Sequence, residues 1–291
     1  MASTPPSPLL SQGPTPPKSS PPTPILANPV AKTYAFIHPV LLLALLVLRF
    51  NALVADPIPE LLGDLPFLAL LQIAFVTICL PPAGSSTKPT TTTTPTPEDE
   101  NNTTSSTGTG IILKPGKPGL RRKNTPKSDS TAACISAKLI PSILSLTLTT
   151  LLATPLLTAL LILFGAPATT HHPQTILCAA HMAVLTAMPL VYVHGVDGTV
   201  WKEVWGAARP GDAVWGGALG TAVGAWFGAV PIPLDWDRPW QAFPITILVG
   251  GYIGYAVGLG LGRTVLFGSR LKLEEGGGDG EGVLAEGKKV D

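Results

Sequence analysis

Apolar residues along this chain gather into six stretches, near 34–54, 62–80, 139–165, 174–194, 213–232 and 242–262, with polar or proline-rich sequence between them. A helix needs about 20 predominantly apolar residues to cross the hydrocarbon core of a bilayer. The pattern therefore predicts an all-α polytopic membrane protein with about six transmembrane helices. The first stretch contains "HPVLLLALLVLRF" and follows a tail in which ten of the first thirty residues are Pro. No small-residue cleavage site lies beyond it, so it reads as an anchor rather than a removed signal peptide. Asp64 and Pro66 shorten the second stretch, which is expected to start at headgroup level. The third carries Pro141 and Pro155, and the hydroxyls of "LTLTTLLATP" are available to carbonyls that proline frees. A kink is expected near Pro155.

The segments between and beyond these stretches divide the chain. Residues 1–33 are rich in Pro, Ser and Thr, residues 81–137 contain "TKPTTTTTPTPEDENNTTSSTGTG" and "KPGKPGLRRKNTPKSD", and residues 263–291 form a tail that is rich in Gly, Glu and Lys over 274–291. Such compositions bury too little apolar surface to offset the entropy of ordering, so a disordered N-terminal tail, central linker and C-terminal tail are expected. The membrane part is then split into 34–80, holding helices 1 and 2, and 138–262, holding helices 3 to 6.

Composition agrees with that setting. The chain has 291 residues, 45% apolar and only 13% charged, and a mean hydropathy of +0.37, which is too apolar for an ordinary soluble domain. A net charge of +1 gives no electrostatic case for nucleic acid. Cys79, Cys134 and Cys178 are spaced neither as a disulfide framework nor as a zinc site and read as small apolar fillers, and no cofactor or metal is called for.

Charge distribution orients the helices. With both termini in the cytosol, only Arg49 and Arg238 of the 19 basic residues fall on the far side, in agreement with the positive-inside rule. The far loops, near 55–61, 166–173 and 233–241, are then lumenal and short. "NNTT" offers glycosylation acceptors at Asn101 and Asn102, but on the cytosolic side they are expected to stay unmodified. The chain closes on "KKVD", where Lys288 and Lys289 have the form of a dilysine retrieval signal for the endoplasmic reticulum; a solvated charged tail is the alternative.

Two glycine series flank the last lumenal loop. Gly216, Gly220, Gly224 and Gly228 recur every four residues in helix five, as do Gly250, Gly254, Gly258 and Gly262 in helix six. Four steps of 100° return nearly to the same face, so each series makes a groove where another backbone can approach closely. Whether the grooves face each other or a partner chain is open at this level. Between them lies "VPIPLDWDRPWQAFPI". Asp235, Asp237 and Arg238 must stay at or above the headgroups, because each costs about 2.5–3.5 kcal/mol at mid-bilayer on insertion scales. Trp236 and Trp240 suit the interface. Pro231, Pro233, Pro239 and Pro244 fix φ and stop either helix from running on, which makes the turn rigid. It reads either as a recognition surface or as an interfacial turn with aromatic anchors.

The run "WFGAVPIPLDWDRPWQAFPI", Trp226 to Ile245, resembles the signature near the carboxyl end of the PIG-F family, endoplasmic-reticulum membrane proteins of glycosylphosphatidylinositol (GPI) anchor synthesis. "PLDWDRPWQ" matches it nearly residue for residue. The likeness spans the membrane part, is firm over 174–262, and includes a six-helix plan with glycine-rich last helices; the Pro-rich tail and the central insert are departures of a kind common in fungal members. The resemblance implies an accessory, non-catalytic subunit that binds and stabilises the ethanolamine-phosphate transferases of the pathway, similar to the class O and class G catalytic subunits, within the endoplasmic-reticulum membrane and among its lipids. On that reading Asp235, Trp236, Asp237, Arg238, Pro239, Trp240 and Gln241 form the partner or headgroup surface.

Two other classes compete. A membrane-embedded lipid-modifying enzyme would use His171, His172, Asp235 and Asp237 around a metal, but three short loops offer little protein from which to build a dry two-metal cavity. A lipid transporter would line a path with Gln72, His181 and Tyr192, yet the sequence carries no inverted repeat.

Overall fold

A computed structural model describes residues 20–85, 131–234 and 236–270. Among the described residues the chain is helical and holds no strand. Helix α1 (Pro29–Ala55) and α2 (Pro57–Cys79) form a hairpin linked by Asp56. Pro29 and Pro57 each sit in the first helical turn, where a missing N–H is no loss. Asn28 caps α1 by accepting from Ala31 N at 2.6 Å.

Helix α3 (Thr131–Leu148) continues through a single π-helical turn, Thr149–Ala153, into α4 (Thr154–Leu163). The widened turn stands just ahead of Pro155, where the kink was expected. Thr154 N reaches back five residues to Thr149 O, and Thr149 Oγ1 donates to Ser145 O at 2.7 Å, so hydroxyls and the wider turn keep the ladder satisfied around the proline. Helix α5 (His172–His194) is the centre of the bundle and touches α2, α3, α4, α7 and α8. Its apolar window is 67% buried, against 6% for the window of Ser136–Leu163, which lies on the outside.

A short helix, α6 (Gly198–Trp205), follows α5 and has no counterpart among the six expected spans. Asp197 caps it by accepting from Thr199 N and Oγ1, at 2.9 and 2.8 Å, and these bonds hold its carboxyl below the usual range. Helices α7 (Ala213–Ala229) and α8 (Ile245–Arg263) form the closest pair in the bundle. Five spans among the described residues are long and apolar enough to cross a membrane: α1, α2, the α3–α4 rod, α5 and α8. Helix α7, the fifth of the six apolar stretches, is equally apolar but with 17 residues is shorter than these five.

The chain ends of the bundle are more ordered than their composition suggests. The tail was expected to be disordered as far as residue 33, but α1 begins at Pro29, and residues 20–28 lie across the bundle as a strap. Leu26 N donates to Cys79 O at 2.9 Å, and Ile25 and Leu26 pack on the core. Arg209 and Asp212 anchor this strap: Arg209 Nη2 donates to Thr23 Oγ1 at 3.2 Å, and Thr23 N donates to Asp212 Oδ2 at 3.1 Å. After α8, Gly268 N donates to Gly211 O at 2.8 Å and Gly211 N to Ser269 O at 2.7 Å, which returns the segment to the same end. Asn101, Asn102, Lys288 and Lys289 lie outside the described residues.

Candidate functional site

The α7–α8 hairpin builds the candidate site from its backbone outward. Asp212 caps α7 by accepting from Trp215 N at 2.8 Å. The two glycine series then interlock in antiparallel register, Gly216 against Gly258, Gly220 against Gly254 and Gly224 against Gly250. A Cβ on Gly220 would lie 2.8 Å from Gly258 Cα and nearer still to Gly254 O, a separation that real side chains do not reach. The grooves thus face each other, Gly228 meets Thr246, and Gly262 meets Asp212. With no hydrophobic drive between helices in lipid, this close van der Waals contact is what holds the pair.

Pro231 and Pro233 stop α7, and the chain turns through Leu234 N donating to Pro231 O at 3.1 Å. Asp235 lies outside the described residues. Trp236 to Arg238 run onward, Pro239–Gln241 form one 3-10 turn, and α8 starts after the cis peptide bond Phe243–Pro244. Gln241 closes the turn from within: it is buried, and its side-chain amide donates to the carbonyls of Pro231 and Leu234. It supports the turn from inside, where it is buried, while Trp236 to Trp240 beside it are exposed. Asp237 holds φ at +52°, a left-handed conformation that costs a non-glycine residue about 1–2 kcal/mol and that Asp tolerates better than most.

The exposed face is made by Trp236, Asp237, Arg238, Pro239 and Trp240. The two indoles lie with ring centroids 6.0 Å apart, and Trp236 is 54% exposed. Two flat amphipathic rings beside a carboxylate and a guanidinium, on a turn locked by Gln241, form a preorganised polar and aromatic patch. His171 stands next to it, its ring edge-on to Phe243 at 6.5 Å, while His172 begins α5. Among the described residues no three His, Cys, Asp or Glu side chains converge to hold a metal.

At the loop end of the α1–α2 hairpin, Arg49 pairs with Glu60 at 2.6 Å and with Asp64 at 2.9 Å. This pairing is what lets α2 begin at Pro57 and carry Asp64 within the helix, where the sequence suggested a later start. The spacing from Arg49 to Glu60 and Asp64 was visible, but only the tight Asp56 link makes it a contact.

The intramembrane polar residues are ties between helices. Leu61 O can only accept, so His181 Nε2 carries the proton and donates to it at 2.9 Å; Nδ1 then accepts from Tyr252 O–H at 2.9 Å. Tyr255 O–H donates to Gln72 Oε1 at 3.4 Å, and Tyr192 is buried in the core.

Comparison with known proteins gives these features a family. The family model for the GPI biosynthesis protein family Pig-F matches residues 37–263. The chain is 58% identical to "Glycosylphosphatidylinositol anchor biosynthesis protein 11" of Aspergillus fumigatus, over 94% of this chain and 96% of that protein. It is 35% identical to the human "GPI ethanolamine phosphate transferase, stabilizing subunit", over 38% of this chain and 53% of that protein. A "PIGF/3-ketodihydrosphingosine reductase fusion protein" of Schizosaccharomyces pombe is 39% identical over 36% of this chain and 22% of its own length. No solved structure matches. The match over most of the described helices, together with the turn that "PLDWDRPWQ" forms between α7 and α8, establishes that this chain belongs to the GPI biosynthesis protein family Pig-F.

Proposed function

We propose that this chain is a non-catalytic subunit that binds and stabilises the ethanolamine-phosphate transferases of GPI anchor biosynthesis in the endoplasmic-reticulum membrane. The observation that carries this reading is the outward face of the 233–241 turn, where Trp236, Asp237, Arg238 and Trp240 stand exposed on a turn locked by Gln241 and welded to interlocked helices. Such a patch is preorganised for a partner, with aromatic anchors beside a charged pair. The name of the human relative, a stabilizing subunit of such a transferase, supports the same role. The partners proposed are the class O and class G catalytic subunits, with the termini cytosolic and the turn lumenal.

Two experiments test this. Affinity purification of the tagged chain with mass spectrometry of its partners should recover a transferase, and loss of the chain should deplete that transferase. A lysate free of any transferase in the purified complex contradicts the reading. For orientation, Asn101 and Asn102 should carry no glycan; an endoglycosidase-sensitive mass shift would reverse the topology.

A further inference from the structure

At the end of the bundle opposite the 233–241 turn, the start of α1 and the end of α8 enclose an open cavity of about 370 Å³ under the strap. Its size falls within the range of about 300–1,000 Å³ typical of small-ligand sites. Lys32 and Arg263 line it, with Thr23 and Thr264 as hydroxyl-bearing neighbours and Phe36 and Phe267 as apolar wall. The lining contains no Asp or Glu. Asp212, next in the chain to the lining residue Ala213, is already bonded to Arg209, Thr23 N and Trp215 N. Arg263 lies over the Phe36 ring at 3.6 Å from its centroid, which fixes the guanidinium plane, and its Nη1 is buried without a hydrogen-bond partner.

We propose that this cavity binds the phosphodiester headgroup of an anionic phospholipid, with Lys32 and Arg263 as the phosphate ligands. Both residues sit at the ends of membrane-spanning helices, Lys32 in the first turn of α1 and Arg263 at the last position of α8, where headgroups lie. Arg263 Nη1 supplies a directional donor and Lys32 a mobile point charge, the two modes by which phosphates are held. Phe36 and Phe267, both exposed beside the cations, give an acyl chain a wall to descend, which a soluble phosphate compound would not use. Basic pockets between helices at a membrane face are a recurring way to retain anionic lipid.

The test uses the full chain, purified in mild detergent and analysed by native mass spectrometry after exposure to phosphatidylinositol, phosphatidylserine or phosphatidylcholine. The wild-type chain should retain one anionic lipid and no phosphatidylcholine. At roughly fivefold per basic residue near the surface, Lys32→Gln should weaken retention about fivefold and Lys32→Gln/Arg263→Gln about thirtyfold. Lys202→Gln/Arg270→Gln, which removes equal charge outside the cavity, should leave retention unchanged. Lys32 is exposed, so its single variant reads binding without disturbing the fold. Equal retention by wild type and the Lys32 variants, or equal loss in the charge-matched control, overturns the site. Thermal stabilisation by millimolar inorganic phosphate matching that of the lipid would also overturn the lipid assignment, moving the site to soluble phosphate compounds.

Discussion

Gly220 and Gly254 meet backbone to backbone, so that a Cβ on either would stand far inside van der Waals contact distance of the other's carbonyl oxygen. The contact repeats up and down the α7–α8 hairpin and sets how rigidly the 233–241 turn is carried.

Gly254→Ala should therefore separate the helices and lower the steady-state amount of this chain severalfold, since overpacking a tight contact costs about 1–3 kcal/mol. Gly260 is the control: it lies in the same helix, and nothing stands within 4 Å of where its Cβ would be. Gly260→Ala should leave abundance unchanged or slightly raised. Quantitative immunoblotting of the two variants checks this, and equal levels would show that the glycine register is incidental.

The hydrogen bonds of His181 provide a second prediction. Tyr252→Phe removes the hydroxyl that His181 Nδ1 accepts from, at a site buried between α5 and α8. Interhelical hydrogen bonds in membranes contribute about 0.6 kcal/mol on average and up to about 1.7, so a small but measurable loss of thermal stability in detergent is expected, with partner binding retained. A variant of normal stability that fails in GPI synthesis would point instead to a polar path through the bundle.

Gln241 should matter for the shape of the turn rather than as a contact. Gln241→Ala removes the amide donor to Leu234 O and one of the two donors to Pro231 O, which keeps Leu234 N, at about 0.5–1.5 kcal/mol for each hydrogen bond lost. Amide hydrogen exchange across 230–248 should rise in this variant, whereas an unchanged exchange pattern would mean the turn is held by its prolines alone.

Much of this architecture was legible in the chain because its signals are local. The spans follow from apolar run length, and the stops of α7 from Pro231 and Pro233. The four-residue glycine steps mark two grooves, but only three-dimensional register shows that they meet each other. What sequence reading missed rests on distant partners. The anchor of the strap joins Thr23 to Arg209 and Asp212, some 190 residues away, from within a Pro-rich segment that reads as unstructured. Arg49 finds Glu60 and Asp64 only once Asp56 folds α1 against α2. Helix α6 is a short amphipathic turn inside a polar loop, and Asp197 as its cap was the available clue. In "PLDWDRPWQ" Gln241 reads as part of the outward surface with its neighbours; its inward role depends on the turn bringing the Pro231 and Leu234 carbonyls, ten and seven residues back, to its side-chain amide, which sequence adjacency does not reveal.

The central claim is that the exposed turn is a partner-facing cap, and Asp237 and Arg238 test it most directly. Asp237→Gly relieves the left-handed backbone while deleting the carboxylate, and Arg238→Ala deletes the exposed cation, so neither should harm insertion or abundance of this chain. Truncating one member of a charge pair that is desolvated on binding can cost about 2–5 kcal/mol. The measurement is co-immunoprecipitation of the transferase from detergent-solubilised membranes, paired with a GPI precursor profile for each variant. The account predicts normal levels of this chain, transferase lost from the complex, and precursors lacking late phosphoethanolamine groups. Transferase still bound while the same precursors accumulate would contradict it and assign Asp237 and Arg238 to direct contact with substrate.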